Sequence, residues 1–175
     1  MTAPQAPPKP DAAEIHRGFE QVDKGASPEV RASRIINHAT AQAAFWGAWP
    51  AVSWVALVMI NMTMIVFIGR AYGYLWDRDK AKDLLFQILK GMGLSTGFLL
   101  AGTKLINDTL KLTGVATIPA MAADAVLGGA VTYAVGHTTM SYFKNNTRMS
   151  RDEMKAAFRD QLQRAKREMK EKPPA

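Results

Sequence analysis

The sequence contains no cysteine among its 175 residues. Disulfide bonds, thiolate zinc sites and cysteine nucleophiles are therefore excluded for this chain. Charge is also missing from a long stretch, since residues 39–69 contain no Asp, Glu, Lys, Arg or His. About 20 apolar residues in helical form are enough to cross the hydrocarbon core of a bilayer. This run is long enough to enter a membrane.

Pro50 interrupts the uncharged run and is preceded by Trp49. Proline removes a backbone donor and disfavours helical geometry at the residue before it. The run is therefore predicted to form two helical pieces with a break near Trp49 and Pro50. Two interpretations fit this pattern: a bent pair of helices in a membrane, and a fully buried helical hairpin in a soluble protein.

Motifs of common active sites are also missing. The chain has neither the P-loop pattern G-x-x-x-x-G-K-[ST] nor a G-x-S-x-G elbow. Its three histidines, His16, His38 and His137, form neither an H-x-x-x-H nor an H-E-x-x-H pair. We therefore expect no enzymatic activity, no cofactor and no metal site.

Positive charge is present in excess, and most of it lies near the C-terminus. The formal net charge is +7, and residues 144–172 carry ten Lys or Arg against five Asp or Glu. Such a segment favours an anionic partner, with lipid headgroups first and an acidic protein second. Nucleic acid is disfavoured because Phe158 is the one aromatic residue there that could stack on a base.

Composition and helix-start signals divide the chain into three parts, namely 1–26, 27–143 and 144–175. Residues 1–10 are rich in Pro and Ala, which predicts disorder, and the N-terminus lacks the pattern of a secretory signal. Ser27 followed by Pro28 predicts the start of a helix. Ser150 and Glu153 form an S-x-x-E capping box, which predicts the start of the last helix.

Small residues recur every four positions in two later segments. A third helix is predicted over about 80–110 and a fourth over about 119–143. The stripes of small residues are Gly93, Gly97 and Ala101 in the third helix, and Gly128, Thr132 and Gly136 in the fourth. Small residues at this spacing allow close helix approach. We expect the two faces to pack on each other or each on the first hairpin.

The C-terminal segment is predicted to be a basic amphipathic helix. Its apolar stripe includes Met154, Phe158 and Leu162, and basic residues cover much of the remainder. The candidate binding residues are Met154, Lys155, Phe158, Arg159, Leu162, Arg164, Lys166 and Arg167. Such a helix can lie on an anionic membrane or bind a partner. The alternative is a solvated helix that caps the bundle.

Two polar residues lie within apolar segments. Asn61 is deep in the second helix and is expected to form a hydrogen bond with a neighbouring helix. Asp124 follows Pro119 in the fourth helix. It could pair with a basic residue such as Lys104, line a polar cavity, or lie at headgroup level near the positive end of the helix dipole.

Two segments, 43–73 and 110–143, resemble the membrane domain of the YcjF-like bacterial family. The matching residues are Ile118, Pro119, Thr132, Tyr133, Ala134, Gly136, Tyr142 and Phe143. Ser53, Ala120 and Ala122 depart from the family pattern. The resemblance implies a helical domain at the bacterial inner membrane, often associated with a Ras-like GTPase. Because the chain lacks a P-loop, any GTPase would be a separate protein.

Together these observations predict an all-α, membrane-associated bundle of two helical hairpins followed by the basic amphipathic helix. Both termini are expected in the cytoplasm, because Lys and Arg favour that side. The expected partners are a lipid membrane and a protein, either a GTPase or a second copy of this chain, but not nucleic acid. The expected function is that of a membrane anchor or scaffold that recruits a protein partner or shapes the membrane. The alternatives are a transport component that uses Asn61 and Asp124, and a soluble interaction module.

Overall fold

The computed structural model describes residues 11–22, 27–47, 53–91 and 117–171, and within these ranges the chain forms helices joined by short turns, with no strand. This confirms the predicted all-α class. The described ranges contain six helices, namely α1 (Ala12–Val22), α2 (Pro28–Gly47), α3 (Ser53–Ala71), α4 (Arg78–Gly91), α5 (Thr117–Lys144) and α6 (Arg151–Glu171).

Side-chain caps explain where several helices begin. The Val30 amide donates to Ser27 Oγ at 3.3 Å at the start of α2. In the predicted capping box, the Glu153 amide donates to Ser150 Oγ at 3.2 Å and the Ser150 amide donates to Glu153 Oε2 at 2.6 Å. These bonds satisfy amide groups that the first turn of a helix leaves without partners. The capping box is therefore confirmed.

Three helices, α2, α3 and α5, form the centre of the bundle. Glu29 at the start of α2 lies 3.6 Å from Lys144 at the end of α5, so these two helices are antiparallel. Asn61 near the middle of α3 bonds to Thr132 of α5, and Gly69 near its end lies against Phe143. Helices α3 and α5 therefore run in the same direction. Helices α2 and α3 form the predicted first hairpin.

Helix α5 approaches this hairpin closely at Gly136. A Cβ atom at Gly136 would lie 2.7 Å from Ile36 Cγ1 and 3.0 Å from Met64 Sδ. Ile36 belongs to α2 and Met64 to α3, and both side chains are fully buried. Only glycine leaves room for α5 to contact both helices at this point. The structure places the predicted stripe residues Gly128, Thr132 and Gly136 in the buried part of α5.

The other three helices surround one end of this centre. Helix α1 packs on α2 and α3, where its fully buried Phe19 ring lies 5.6 Å from Phe67. Helix α4 packs on α3 and α6 through an apolar face that includes Leu84 and Ile88. Helix α6 folds back along α5. The end of the bundle that holds Lys144, Arg70 and the start of α4 is called the base below.

Several predicted features fall outside the described residues. These are residues 1–10, the break at Trp49 and Pro50, and Gly93, Gly97 and Ala101 of the first small-residue stripe. Helix α4 begins near the predicted start of the third helix and is described to Gly91. Among the helices in the described ranges, none combines the length and apolar character needed to cross a membrane.

We expect Gly136→Ala to lower the free energy of unfolding. The added methyl group must displace Ile36 or Met64, and overpacking of a core typically costs about 1–3 kcal/mol. Alanine's higher helix propensity offsets up to about 1 kcal/mol of that cost. Chemical denaturation followed by circular dichroism measures the net change.

The control is a change in the contacted side chain. Ile36→Val retains both Cγ atoms, whereas Ile36→Ala removes them. The penalty of Gly136→Ala should therefore persist in the valine background and shrink in the alanine background. Equal penalties in the two backgrounds would show that Ile36 does not limit the approach of α5.

Candidate functional site

The apolar stripe of α6 is buried inside the bundle. Met154 and Phe158 are only 2% and 0% exposed, and Ala165 is also buried. We predicted that Met154 and Phe158 form part of an exposed membrane or partner surface, and the structure corrects that expectation. The stripe packs on the bundle because α4 and α5 provide an apolar surface beside it. Leu162 is half-buried at the edge of this contact.

The outer face of α6 carries the basic residues. Arg159, Arg164, Lys166 and Arg167 are exposed, and Lys155 is partly exposed. Asp160 and Glu168 are interspersed among them, and Arg164 Nε donates to Glu168 Oε1 at 2.9 Å. The buried stripe holds the helix in place, so this basic face has a defined orientation relative to the bundle.

Tyr133 and His137 form a half-buried pair where α5 meets the last turns of α6. Their ring centroids are 4.3 Å apart. Burial raises the pKa of Tyr133, and Glu168 adds to this effect. Burial also lowers the pKa of His137, and the Arg164 guanidinium adds to that effect. The junction therefore favours the neutral forms of both rings.

Asn61 forms the expected hydrogen bond to a neighbouring helix. Its Nδ2 donates to Thr132 Oγ1 at 3.0 Å and to the Leu57 carbonyl at 2.8 Å. Both Asn61 and Thr132 are buried. The amide therefore links α3 to α5 in the middle of the apolar core. By contrast, the backbone of α5 includes Asp124, but its side chain lies outside the described residues.

His38 lies between α2 and α1 in a contact that sequence reasoning did not identify. Its ring lies edge-on to Phe19, with centroids 5.2 Å apart, and a Cβ at Gly18 would lie 2.8 Å from its Nε2. Burial lowers the pKa of His38. The spacing of Ile15 and Phe19 in α1 is the signal that could have indicated this packing, since positions four apart share one helix face.

An aromatic cluster closes the base around Phe143. The centroids of Trp76 and Tyr74 lie 4.8 Å and 5.0 Å from that of Phe143, and Tyr72 stacks more loosely on it. Gly73 has a φ of +85°, which glycine adopts readily and which allows the chain to turn back here. These aromatic side chains pack on the end of α5.

A cavity of about 160 Å³ lies beside the aromatic cluster. Its lining combines residues of α1, α3 and the turn into α4: His16, Thr63, Val66, Arg70, Trp76, Asp77 and Arg78. Asp77 caps α4 by accepting a bond from the Lys80 amide at 2.9 Å. In the described ranges, no three acidic or histidine side chains lie close enough to hold a metal ion.

Comparison with known protein families identifies the family of this chain. Residues 12–167 match the profile of a family described as a domain of unknown function, DUF697. The chain belongs to this family. The predicted YcjF-like resemblance is thereby confirmed, and it extends over most of the chain.

A curated relative is also known. It is Magnetosome membrane protein 22 of Magnetospirillum gryphiswaldense, which is 26% identical over an alignment that covers 63% of this chain and 57% of that protein. The chain thus spans little more than half the length of this relative. No solved structure matches the sequence.

We expect Thr132→Val to destabilise the DUF697 domain. Valine has nearly the same shape but cannot accept the bond from Asn61, and a buried group left without its partner costs about 1–3 kcal/mol. Thr132→Ser is the matched control because it retains the hydroxyl group. Thermal unfolding in which the valine variant is no less stable than the serine variant would contradict a stabilising role for this bond.

Stability should also fall as the pH is lowered below neutrality. A histidine whose pKa is lower in the folded chain than its ordinary value of about 6.5 binds a proton less readily there. The stability that the neutral ring contributes is therefore complete above that pH and is lost as the pH falls below it. His38 and His137 both have lowered pKa values.

The double variant His38→Gln with His137→Gln tests this assignment. We expect the melting temperature of the parent to drop between about pH 7 and pH 5, and that of the variant to drop less. Melting curves with parallel pH dependence for both proteins would assign the effect to other groups, such as the carboxylates.

Proposed function

We propose that this chain is a membrane-associated, non-enzymatic helical domain that holds a protein partner at a membrane surface. The observation that carries the proposal is the exposed basic face of α6, fixed in position by buried Met154 and Phe158. Each Lys or Arg near an anionic bilayer contributes about 1 kcal/mol of attraction. Family membership and the relative named as a membrane protein support the same assignment.

The proposed location is the cytoplasmic surface of the bacterial inner membrane, with both termini on that side. That leaflet is anionic and attracts basic segments. The proposed protein partner is a separate GTPase or a second copy of the chain. The YcjF-like resemblance, which implies an association with a Ras-like GTPase, supports the first of these partners.

Vesicle binding tests the proposal. The full chain should float with vesicles of phosphatidylcholine and phosphatidylglycerol and bind more weakly to phosphatidylcholine alone, because the basic face recognises anionic headgroups. The double variant Lys166→Gln with Arg167→Gln should weaken binding to the anionic vesicles by about tenfold or more, since it removes two attractive charges.

The control is Lys80→Gln with Lys82→Gln, which removes two exposed positive charges from α4. Its binding to the same vesicles should stay close to that of the parent. If the parent remains in the vesicle-free fraction, the proposed membrane association is wrong. If both double variants lose affinity equally, net charge rather than the face of α6 is responsible.

A further inference from the structure

The two ends of the bundle differ in how its central helices are covered. Along α3, every residue from Met64 to Gly69 is buried, because α1, α2, α4 and α5 surround that half of the helix. Towards the start of α3 the cover is incomplete. Leu57, Val58, Met59 and Met62 are only half-buried there. The segment of α3 from Leu57 to Met62 therefore presents some of its apolar side chains outward.

Helix α2 shows the same change towards its end. Phe45 is 56% exposed, and Trp46 beside it is half-buried with its ring edge-on to Phe45 at 5.2 Å. Since α2 and α3 are antiparallel, the end of α2 and the start of α3 lie at the same end of the bundle. We call this set of side chains the apolar collar: Phe45, Trp46, Leu57, Val58, Met59 and Met62.

Among the central helices, the described charged side chains lie at the base rather than at the collar. The sequence has no charged side chain from 39 to 69, nor any Asp, Glu, Lys or Arg from 125 to 143, so the described side chains of the central helices bring no charge to the collar. Asp124 belongs to the first turns of α5 at this end of the bundle, and its side chain lies outside the described residues. At the base, Glu29 pairs with Lys144, and Arg70 lies over the Phe67 ring at 5.0 Å. The bundle is therefore polarised along its axis.

Basic residues of α6 reach the level of the collar along the bundle axis. Helix α6 begins at the base and runs back along α5, so that Arg164 and Glu168 act on Tyr133. Tyr133 follows Thr132, which bonds to Asn61 in α3. Helix α6 packs along α5, so its last described turns are at the level of Asn61 along the bundle axis. Lys166 and Arg167 are exposed at this level.

We propose that the apolar collar inserts into one leaflet of an anionic membrane, while the base stays in water. This inference rests on the proposed function and adds to it the end of the molecule that enters lipid. Met62 lies nine positions after Ser53, which is about 14 Å of helix. One leaflet contributes about half of a 30 Å hydrocarbon core. The collar end is therefore long enough to reach the middle of the bilayer.

Lipid fits the collar better than a second copy of the chain does. The six side chains of the collar are uncharged, and the exposed basic residues near the end of α6 lie at the level of Asn61 along the bundle axis, where phosphate headgroups would lie if the collar were in hydrocarbon. Two collars facing each other would bring two sets of Lys166 and Arg167 together, and like charges repel. Charge complementarity therefore selects an anionic leaflet as the occupant.

Phe45 and Leu75 provide a matched pair for the test. Both are exposed apolar residues, but Leu75, which is 89% exposed, lies in the turn between α3 and α4 at the base. Phe45→Glu should weaken flotation with phosphatidylcholine and phosphatidylglycerol vesicles by about tenfold or more, because burial of one large apolar side chain contributes that much. Leu75→Glu should leave flotation unchanged. Equal losses in the two variants would overturn the proposed orientation.

A second measurement reports depth directly and does not depend on a destabilising charge. Because the chain has no cysteine, Phe45→Cys and Leu75→Cys each create one site for an environment-sensitive fluorophore. On addition of the same vesicles, the label at position 45 should shift to shorter wavelength and be quenched by brominated lipid, and the label at position 75 should do neither.

The outcomes separate this inference from the proposed function. Chains that float with vesicles but carry an unquenched label at position 45 would overturn the insertion of the collar and leave membrane association standing. Chains that do not float would remove both. A label at position 45 that shifts with protein concentration in the absence of lipid would show that a second copy covers the collar, and would also overturn the inference.

Discussion

The close approach of α5 to the α2–α3 hairpin at Gly136 is the constraint on which the rest of the bundle depends. No side chain separates the α5 backbone there from Ile36 and Met64, which come from two different helices. That contact fixes the axial position of α5. The bonds from Asn61 to Thr132 and the pairing of Glu29 with Lys144 follow from the same alignment. Helix α6 then packs on the outer side of α5.

The bundle is built as an apolar three-helix centre with a polar surround at one end. Helices α1, α4 and α6 each contribute one buried apolar face and one charged outer face, which is the arrangement expected for helices between a core and water. Helix α3 has no charged outer face from Met64 to Gly69, because neighbouring helices enclose it on all sides there. Beyond the helices that surround the centre, apolar side chains are partly exposed. The two ends of the bundle therefore differ in their exposed apolar surface.

Much of the local structure could be predicted because it depends on nearby residues. Ser27 with Pro28, and Ser150 with Glu153, specify helix starts through bonds within one turn. The hydrogen bond of Asn61 was expected because a buried amide needs a partner. That the partner of Asn61 is Thr132 could not be predicted, since the two residues are 71 positions apart and only the packing of α3 on α5 brings them together. The role of Met154 and Phe158 was wrong for a related reason, because an apolar stripe has the same pattern whether it faces lipid, a partner or its own bundle.

The sequence by itself determined that the chain is helical, where several helices begin, that positive charge is concentrated near the C-terminus, and that no cysteine chemistry is available. Those properties follow from composition and from contacts within a few residues. Only the tertiary structure decided which face of α6 is buried, how His38 meets Phe19, and at which end the apolar helices lose their cover. These depend on contacts between residues far apart in the chain, whose partners are set by the way whole helix faces fit together.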